Sequence, residues 1–69
     1  MHLAQDIETH IHSGDAVDTV TLDYESRFLR RKRLVSDGGE AFLVELAETR
    51  SLNQGEGFRL DDGRIIAVK

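Results

Sequence analysis

Two aspartate–glycine turn signals constrain the fold of this chain more than any other feature. Asp37-Gly38 lies between the apolar runs of residues 34–46, and Asp61-Asp62-Gly63 lies between those of residues 58–68. An Asp-Gly pair between two apolar runs is typical of a β-hairpin. The second half of the chain is therefore predicted to contain two hairpins of similar design.

The first strand-like pattern falls on residues 7–12, before a break at Ser13-Gly14-Asp15. Apolar and polar side chains alternate there, as they do in a half-buried strand. A short helix over residues 3–11 is the competing interpretation. The strand interpretation places Ile7, Thr9 and Ile11 on one face and Glu8, His10 and His12 on the other.

A second strand is predicted over residues 17–22, where Val20 and Leu22 share a face with Tyr24. Residues 24–35 fit a helix or a strand, and the following Asp-Gly turn favours the strand. Residues 47–57 are polar and are predicted to form a loop held at Leu52. As a strand, residues 28–35 would place Phe28, Arg30, Lys32 and Leu34 on one face and Leu29, Arg31, Arg33 and Val35 on the other.

These signals predict five or six short strands in a single all-β domain, arranged as two small sheets or a small barrel. A chain of 69 residues has room for one small core. The sequence contains no cysteine, which excludes disulfides and thiol-bound metals. Stability must come from a well-patterned core or from contact with another molecule.

The charge is distributed unevenly along the chain. Five of the nine basic residues fall within residues 27–33, which leaves four against all thirteen acids elsewhere, a formal charge of −9. Such a segment on an acidic chain favours a protein partner over loose association with a polyanion. The arginines predicted to form the partner-binding surface are Arg27, Arg30, Arg31 and Arg33.

Two other interpretations of this segment stay open. The arginines can form a solvated strand face, neutralised by acids on neighbouring strands. Alternatively, a small β-barrel can bind single-stranded nucleic acid along residues 27–33. This alternative is disfavoured because Phe28 is the one aromatic residue within the segment, and a base-stacking surface usually needs more.

His10 and His12 are weak candidates for a metal site. On a strand, two residues that are two apart project from the same face and can share a divalent nickel, copper or zinc ion, with Glu8 as a further ligand. The set is incomplete, however, because the sequence offers neither a cysteine nor a distant histidine to complete it. Exposed polar side chains are the favoured interpretation.

Enzymatic activity is not expected. Ser13, Ser26, Ser36 and Ser51 lack the sequence context of a nucleophile, and the Asp61-Asp62 pair fits a turn. Apolar runs are too short to cross a bilayer, so no membrane partner is expected. The N-terminal residues do not resemble a secretory signal, which makes the cytoplasm the expected compartment.

Several motifs in order carry a resemblance to a known family. They are residues 18–27 (DTVTLDYESR), Arg30-Arg31, the Asp37-Gly38 turn, residues 42–48 (FLVELAE), residues 52–57 (LNQGEG) and residues 60–68 (LDDGRIIAV). Together they closely resemble the N-terminal domain of the urease accessory nickel metallochaperones, the UreE family. The resemblance covers about residues 17–68.

The resemblance implies a domain of two three-stranded sheets, similar to a peptide-binding domain of heat-shock co-chaperones. It also implies contacts with the urease apoprotein and its accessory proteins, and it assigns Arg27, Arg30 and Arg31 to a contact surface. The family's nickel site belongs to a second, ferredoxin-like domain outside these residues. We therefore expect residues 1–69 to form one interaction domain without a cofactor, and to bind nickel weakly or not at all. Whether this domain forms a homodimer is left open.

Overall fold

The computed structural model describes residues 1–12 and 14–69, which form an all-β fold with one short 3₁₀ helix at Glu25–Arg27. Ser13, part of the predicted break and one of the serines considered above, lies outside the described residues. The strands are β1 (His2–Glu8), β2 (Asp18–Val20), β3 (Phe28–Val35), β4 (Ala41–Ser51), β5 (Gly57–Leu60) and β6 (Ile65–Val68).

Both predicted hairpins are confirmed, and their loops have the same geometry. In the first loop the Ser36 N–H donates to the Glu40 carbonyl at 2.8 Å, and the Gly39 N–H donates to the Ser36 carbonyl at 2.9 Å. In the second loop the Leu60 N–H donates to the Arg64 carbonyl at 2.8 Å, and the Gly63 N–H donates to the Leu60 carbonyl at 2.9 Å. Each of these two loops contains a glycine with positive φ, Gly39 (96°) in the first and Gly63 (92°) in the second. In the first loop the left-handed residue is thus Gly39, one position after the Asp37-Gly38 pair.

The strands form one sheet of six, in the order β2-β6-β5-β1-β4-β3. The β1–β4 and β2–β6 pairs are parallel, and the other neighbours are antiparallel. The two three-stranded groups expected from the family resemblance are visible as β2-β6-β5 and β1-β4-β3. The β1–β5 pair, whose register shifts between Ala4 and Asp6, joins them into a single curled sheet.

The first strand lies earlier than its alternation predicts. β1 covers His2–Glu8, so the predicted strand over residues 7–12 and the alternative helix over residues 3–11 are both wrong. The cause is tertiary, because Ala4 is fully buried between Val44 of β4 and Leu60 of β5. Pairing with β4 on one side and β5 on the other therefore decides the position of β1 more strongly than the alternation of residues 7–12 does.

Residues 24–35 form the predicted strand after a single 3₁₀ turn, and a helix through this segment is wrong. The predicted separation of faces is correct from Arg31 to Val35 but fails at Leu29. The β3–β4 register shifts between Leu29 and Arg31. As a result, Leu29 is buried on the same side as Leu34, five positions away.

Two other boundaries differ from prediction. β2 is only Asp18–Val20, although Val20 and Leu22 are buried as expected; Tyr24 is 83% exposed and does not join their face. The first part of the predicted loop over residues 47–57 is strand, because β4 continues to Ser51 to pair with the start of β3, whereas residues 52–56 form the loop before β5. Leu52 is fully buried, as predicted.

The core lies on the concave face of the curled sheet. Phe42 and Phe58 meet there with ring centroids 5.5 Å apart and planes inclined by 56°, a tilted arrangement favoured by aromatic pairs. The buried apolar residues are Ala4, Val20, Leu22, Leu29, Leu34, Phe42, Val44, Leu46, Leu52, Phe58, Leu60, Ile66 and Val68. Among the described residues, no helix is long and apolar enough to cross a membrane.

A set of hydrogen bonds, here called the β2 latch, joins β2 to the β3–β4 turn. The Asp37 N–H donates to the Thr19 carbonyl at 2.8 Å. The Thr19 and Thr21 hydroxyls donate to the Asp37 carboxylate at 2.5 and 3.0 Å. The Ser36 hydroxyl donates to Asp18 at 2.6 Å. The two outer strands of the sheet are thereby connected at one end.

Candidate interaction surface

The basic run of β3, Arg30-Arg31-Lys32-Arg33, lies on an edge strand and is here called the basic edge. Within residues 1–12 and 14–69, β3 is the last strand of the sheet and pairs only with β4. All four side chains are exposed. The structure therefore places four consecutive cations along one border of the molecule.

Pairing with β4 determines which way these side chains point, because directly opposite residues of an antiparallel pair project to the same face. Lys32 lies opposite Val44, on the concave side that contains the core. Arg31 and Arg33 lie opposite Glu45 and Leu43, on the convex side. Two of the predicted arginines thus share an outer face, and Arg30 lies at the register shift.

Arg27, the fourth predicted partner-binding residue, is separate from this edge. It belongs to the 3₁₀ helix and is only partly exposed. Its Nε donates to the Leu22 carbonyl at 3.4 Å, which directs part of the guanidinium toward its own chain. The structure brings together Arg30, Arg31 and Arg33 but leaves Arg27 aside.

The basic edge is poorly neutralised by its own chain. The Arg31 Nε lies 3.7 Å from Glu45 Oε1, and both side chains are well exposed, so water screens this pair. Within residues 1–12 and 14–69, Arg30, Lys32 and Arg33 have no carboxylate within 4.0 Å. Neutralisation across neighbouring strands accounts for only one of the four cations.

His10 and His12 do not lie on a strand. They follow β1 in an irregular, exposed segment, so the predicted common strand face is wrong, while weak metal binding by the pair stays a prediction. They line a surface cavity of about 410 Å³ with residues 54–56. Glu8, the proposed further ligand, forms an ion pair with Arg59 instead.

A different histidine takes part in a polar cluster that sequence reasoning missed. His2 Nδ1 lies 2.6 Å from Asp61 Oδ1, and His2 Nε2 lies 3.6 Å from Asp62 Oδ2. Arg64 Nε donates to Asp62 at 2.6 Å, and its terminal nitrogens bind Glu40. In the sequence, only the paired aspartates pointed to this cluster, because His2 lies 59 positions from Asp61 and no local pattern connects the two.

The carboxylates of this cluster are held in their charged form. The His2 hydrogen bond is the main cause that lowers the pKa of Asp61, and the Arg64 backbone N–H is the main cause for Asp62. Arg64 hydrogen bonds likewise lower the pKa of Glu40. Arg64 already binds the Asp62 and Glu40 carboxylates, so a metal ion at these carboxylates would have to displace the Arg64 side chain. The cluster therefore acts as a structural link between β1 and both hairpin loops.

Comparison with known proteins identifies close relatives. The family model described as "UreE urease accessory protein, N-terminal domain" matches residues 2–69. The chain is 53% identical over 62 residues to the urease accessory protein UreE of Ruegeria pomeroyi, covering 90% of this chain and 42% of the relative. It is 57% identical over 54 residues to that of Rhodobacter capsulatus, covering 78% of this chain and 35% of the relative.

A third relative, the urease accessory protein UreE of Paracoccus denitrificans, is 60% identical over 50 residues, covering 72% of this chain and 32% of the relative. The chain thus spans between about a third and two fifths of the length of these relatives.

Proposed function

The chain belongs to the UreE family of urease accessory proteins through the N-terminal domain that residues 2–69 match, and we propose that it is the protein-interaction module of such a protein. In this proposal it assists nickel delivery during urease maturation by docking onto the urease apoprotein or its other accessory proteins. It does so in the cytoplasm and without catalysing a reaction.

The observation that carries the proposal is the basic edge. Arg31 and Arg33 share the convex face of an edge strand, and Arg30 lies beside them. Arginine is enriched among the residues that dominate binding energy at protein interfaces. A concentrated positive border on a chain that is otherwise acidic suits an acidic surface on a specific partner, since complementary charge guides and orients association.

Nickel enters this proposal as cargo of the larger family protein and not as a ligand of the basic edge. Arginine and lysine side chains are poor ligands for a divalent metal because they are positively charged. The exposed His10 and His12 are left as weak sites at most. We propose that the basic edge contributes partner contacts, and that the tight nickel site lies in another part of the family protein.

A matched pair of double variants tests the docking surface. Arg31→Ala/Arg33→Ala removes two positive charges from the basic edge, and Arg59→Ala/Lys69→Ala removes two from elsewhere, so the net charge changes equally. We expect the first variant to raise the dissociation constant for the partner at least about tenfold. The second should change it little. The measurement is titration calorimetry with urease apoprotein and with each accessory protein.

Equal affinity of the two double variants for every partner would contradict the proposal. Tight binding of a single-stranded oligonucleotide, with log affinity falling steeply against log salt, would instead support the nucleic-acid alternative.

A further inference from the structure

The free side of β3 offers backbone hydrogen-bonding groups in a defined register. The Ser36 N–H donates to the Glu40 carbonyl at 2.8 Å and closes the hairpin. In an antiparallel pair, hydrogen-bonded and non-hydrogen-bonded positions alternate from there. Leu34 and Lys32 therefore bond to β4, whereas Arg31, Arg33 and Val35 point their N–H and C=O groups away from it. In the described part of the chain, no other strand pairs with this side.

The β2 latch limits this free edge at one end. Beyond Val35, the Ser36 side chain and the Asp37 backbone are bound to β2, so a strand added along β3 must stop there. At the other end, the 3₁₀ helix at Glu25–Arg27 turns the chain away. The remaining edge accepts a segment of about six residues, roughly 20 Å at about 3.3 Å per residue.

Exposed apolar side chains lie at both ends of the same strand. Phe28 is 63% exposed and Val35 is 52% exposed, and Tyr24, just before the strand, is 83% exposed. The other large apolar residues that are this exposed in the described chain are Met1 and Val17. Apolar area is thus concentrated beside the basic edge, where an added strand would cover part of it.

Charge determines which strand can be added. Unpaired edges attract other edges, and natural proteins place lysine and arginine on them to prevent self-association. A second copy of β3 would bring four cations against four cations, which is repulsive. An acidic strand would be attracted by the same four cations, because opposite charges on neighbouring strands stabilise the pairing and like charges destabilise it.

We propose that β3 binds an extended acidic segment of a partner protein as a seventh strand, through the backbone of Arg31, Arg33 and Val35 and the side chains of the basic edge. This inference rests on the proposed interaction function and adds how the partner binds and what its segment is made of. The basic edge then repels a second copy of this chain and attracts an acidic strand.

The first test uses an eight-residue peptide that alternates glutamate and valine. Two further peptides of the same sequence carry N-methyl groups on the odd or the even amides, which keeps the charge and removes one row of backbone donors. We expect one methylated peptide to bind at least about tenfold more weakly than the parent and the other to bind nearly as well. Fluorescence anisotropy supplies the dissociation constants.

The second test changes the protein. Arg33→Ala removes one charge, and Arg33→Pro removes the same charge together with the outward N–H, which β4 does not use. Proline is tolerated at such positions of an edge strand. We expect Arg33→Pro to lose several-fold more affinity for the parent peptide than Arg33→Ala. Unchanged hydrogen exchange at Leu34 and Lys32 serves as the check that β3 remains folded.

The outcomes separate this inference from the proposed function. Equal binding by the parent and both methylated peptides would overturn strand addition while leaving a charged docking surface intact. Capture of urease proteins without any binding of the acidic peptide would also overturn it. The proposed function itself fails only if the Arg31→Ala/Arg33→Ala variant captures partners as well as its matched control does.

Discussion

At the scale of single residues, Gly57 and Gly63 are required for different reasons. A Cβ on Gly57 would lie 2.5 Å from the Ile66 carbonyl oxygen and 3.0 Å from the Ala67 Cα, both of them backbone atoms that cannot easily move. A Cβ on Gly63 would meet nothing within 4 Å, but its φ is +92°. The first glycine provides space, and the second provides a backbone conformation.

This difference predicts opposite responses to asparagine. Alanine should cost about 1–3 kcal/mol at Gly57 through overpacking and about 1–2 kcal/mol at Gly63 through backbone strain. Asparagine should recover part of the loss at Gly63, because it enters the left-handed region more readily, and should worsen the loss at Gly57. Urea unfolding of the four variants measures these changes. Recovery by asparagine at both positions would contradict the distinction.

At the scale of elements, the β2 latch explains how a strand of three residues is held in place. In the described part of the chain, β2 pairs with β6 through only Asp18, Thr19 and Val20. The Thr19 hydroxyl is the main cause that lowers the pKa of the Asp37 carboxyl, and the Ser36 hydroxyl is the main cause for Asp18. Both carboxylates thus accept bonds that favour their charged form.

Asp37→Asn is therefore expected to loosen β2. The amide keeps the size of the side chain but loses the charge to which Thr19 and Thr21 donate. We predict a lower urea midpoint and faster amide exchange at Val20 and Lys69, whose N–H donates to the Val20 carbonyl. Glu25→Gln, an exposed change of the same kind, is the control. Exchange at Val20 that matches the control would show that the latch does not hold β2.

At the scale of the whole molecule, the chain reaches the compactness of a folded domain without disulfides. Its accessible surface is 4394 Å², against about 4,400 Å² expected for a folded monomer of this mass. Its radius of gyration is 10.5 Å, close to the value of about 11 Å expected for this length. Both values are those of a compact folded domain of this size, with the buried apolar residues gathered in one core.

Acid should destabilise the whole domain. Six carboxyl groups have pKa values below their ordinary 3.8 for aspartate and 4.5 for glutamate: Asp18, Asp23, Asp37, Glu40, Asp61 and Asp62. The unfolded chain then binds more protons than the folded chain, so stability is complete above these ordinary values and is lost as the pH falls toward the lowered ones.

Urea unfolding between pH 7 and pH 2.5 measures this dependence. We expect a constant midpoint down to about pH 5, a steady decrease below it, and a shallower decrease for Asp37→Asn, which removes one of the shifted groups. A midpoint that rises on acidification would contradict the assignment.

Local chemistry was sufficient for much of this structure. The two hairpins, the strand character of residues 28–35 and the burial of Leu52 follow from turn residues and from alternation within a few positions, and the family follows from ordered motifs. The concentration of arginines near an exposed strand was likewise readable from the sequence. These features depend on contacts between near neighbours in the chain.

The tertiary structure decided what depends on distant partners. The position of β1 follows from Val44 and Leu60, which lie 40 and 56 positions from Ala4. The register shift that buries Leu29 and the continuation of β4 to Ser51 depend on each other, and the β2 latch joins residues 16 to 18 positions apart. A short window of sequence never contains both partners of such a pair, so only the folded chain shows that the latch joins β2 to the β3–β4 turn and that, among the described residues, the outer side of β3 is left unpaired.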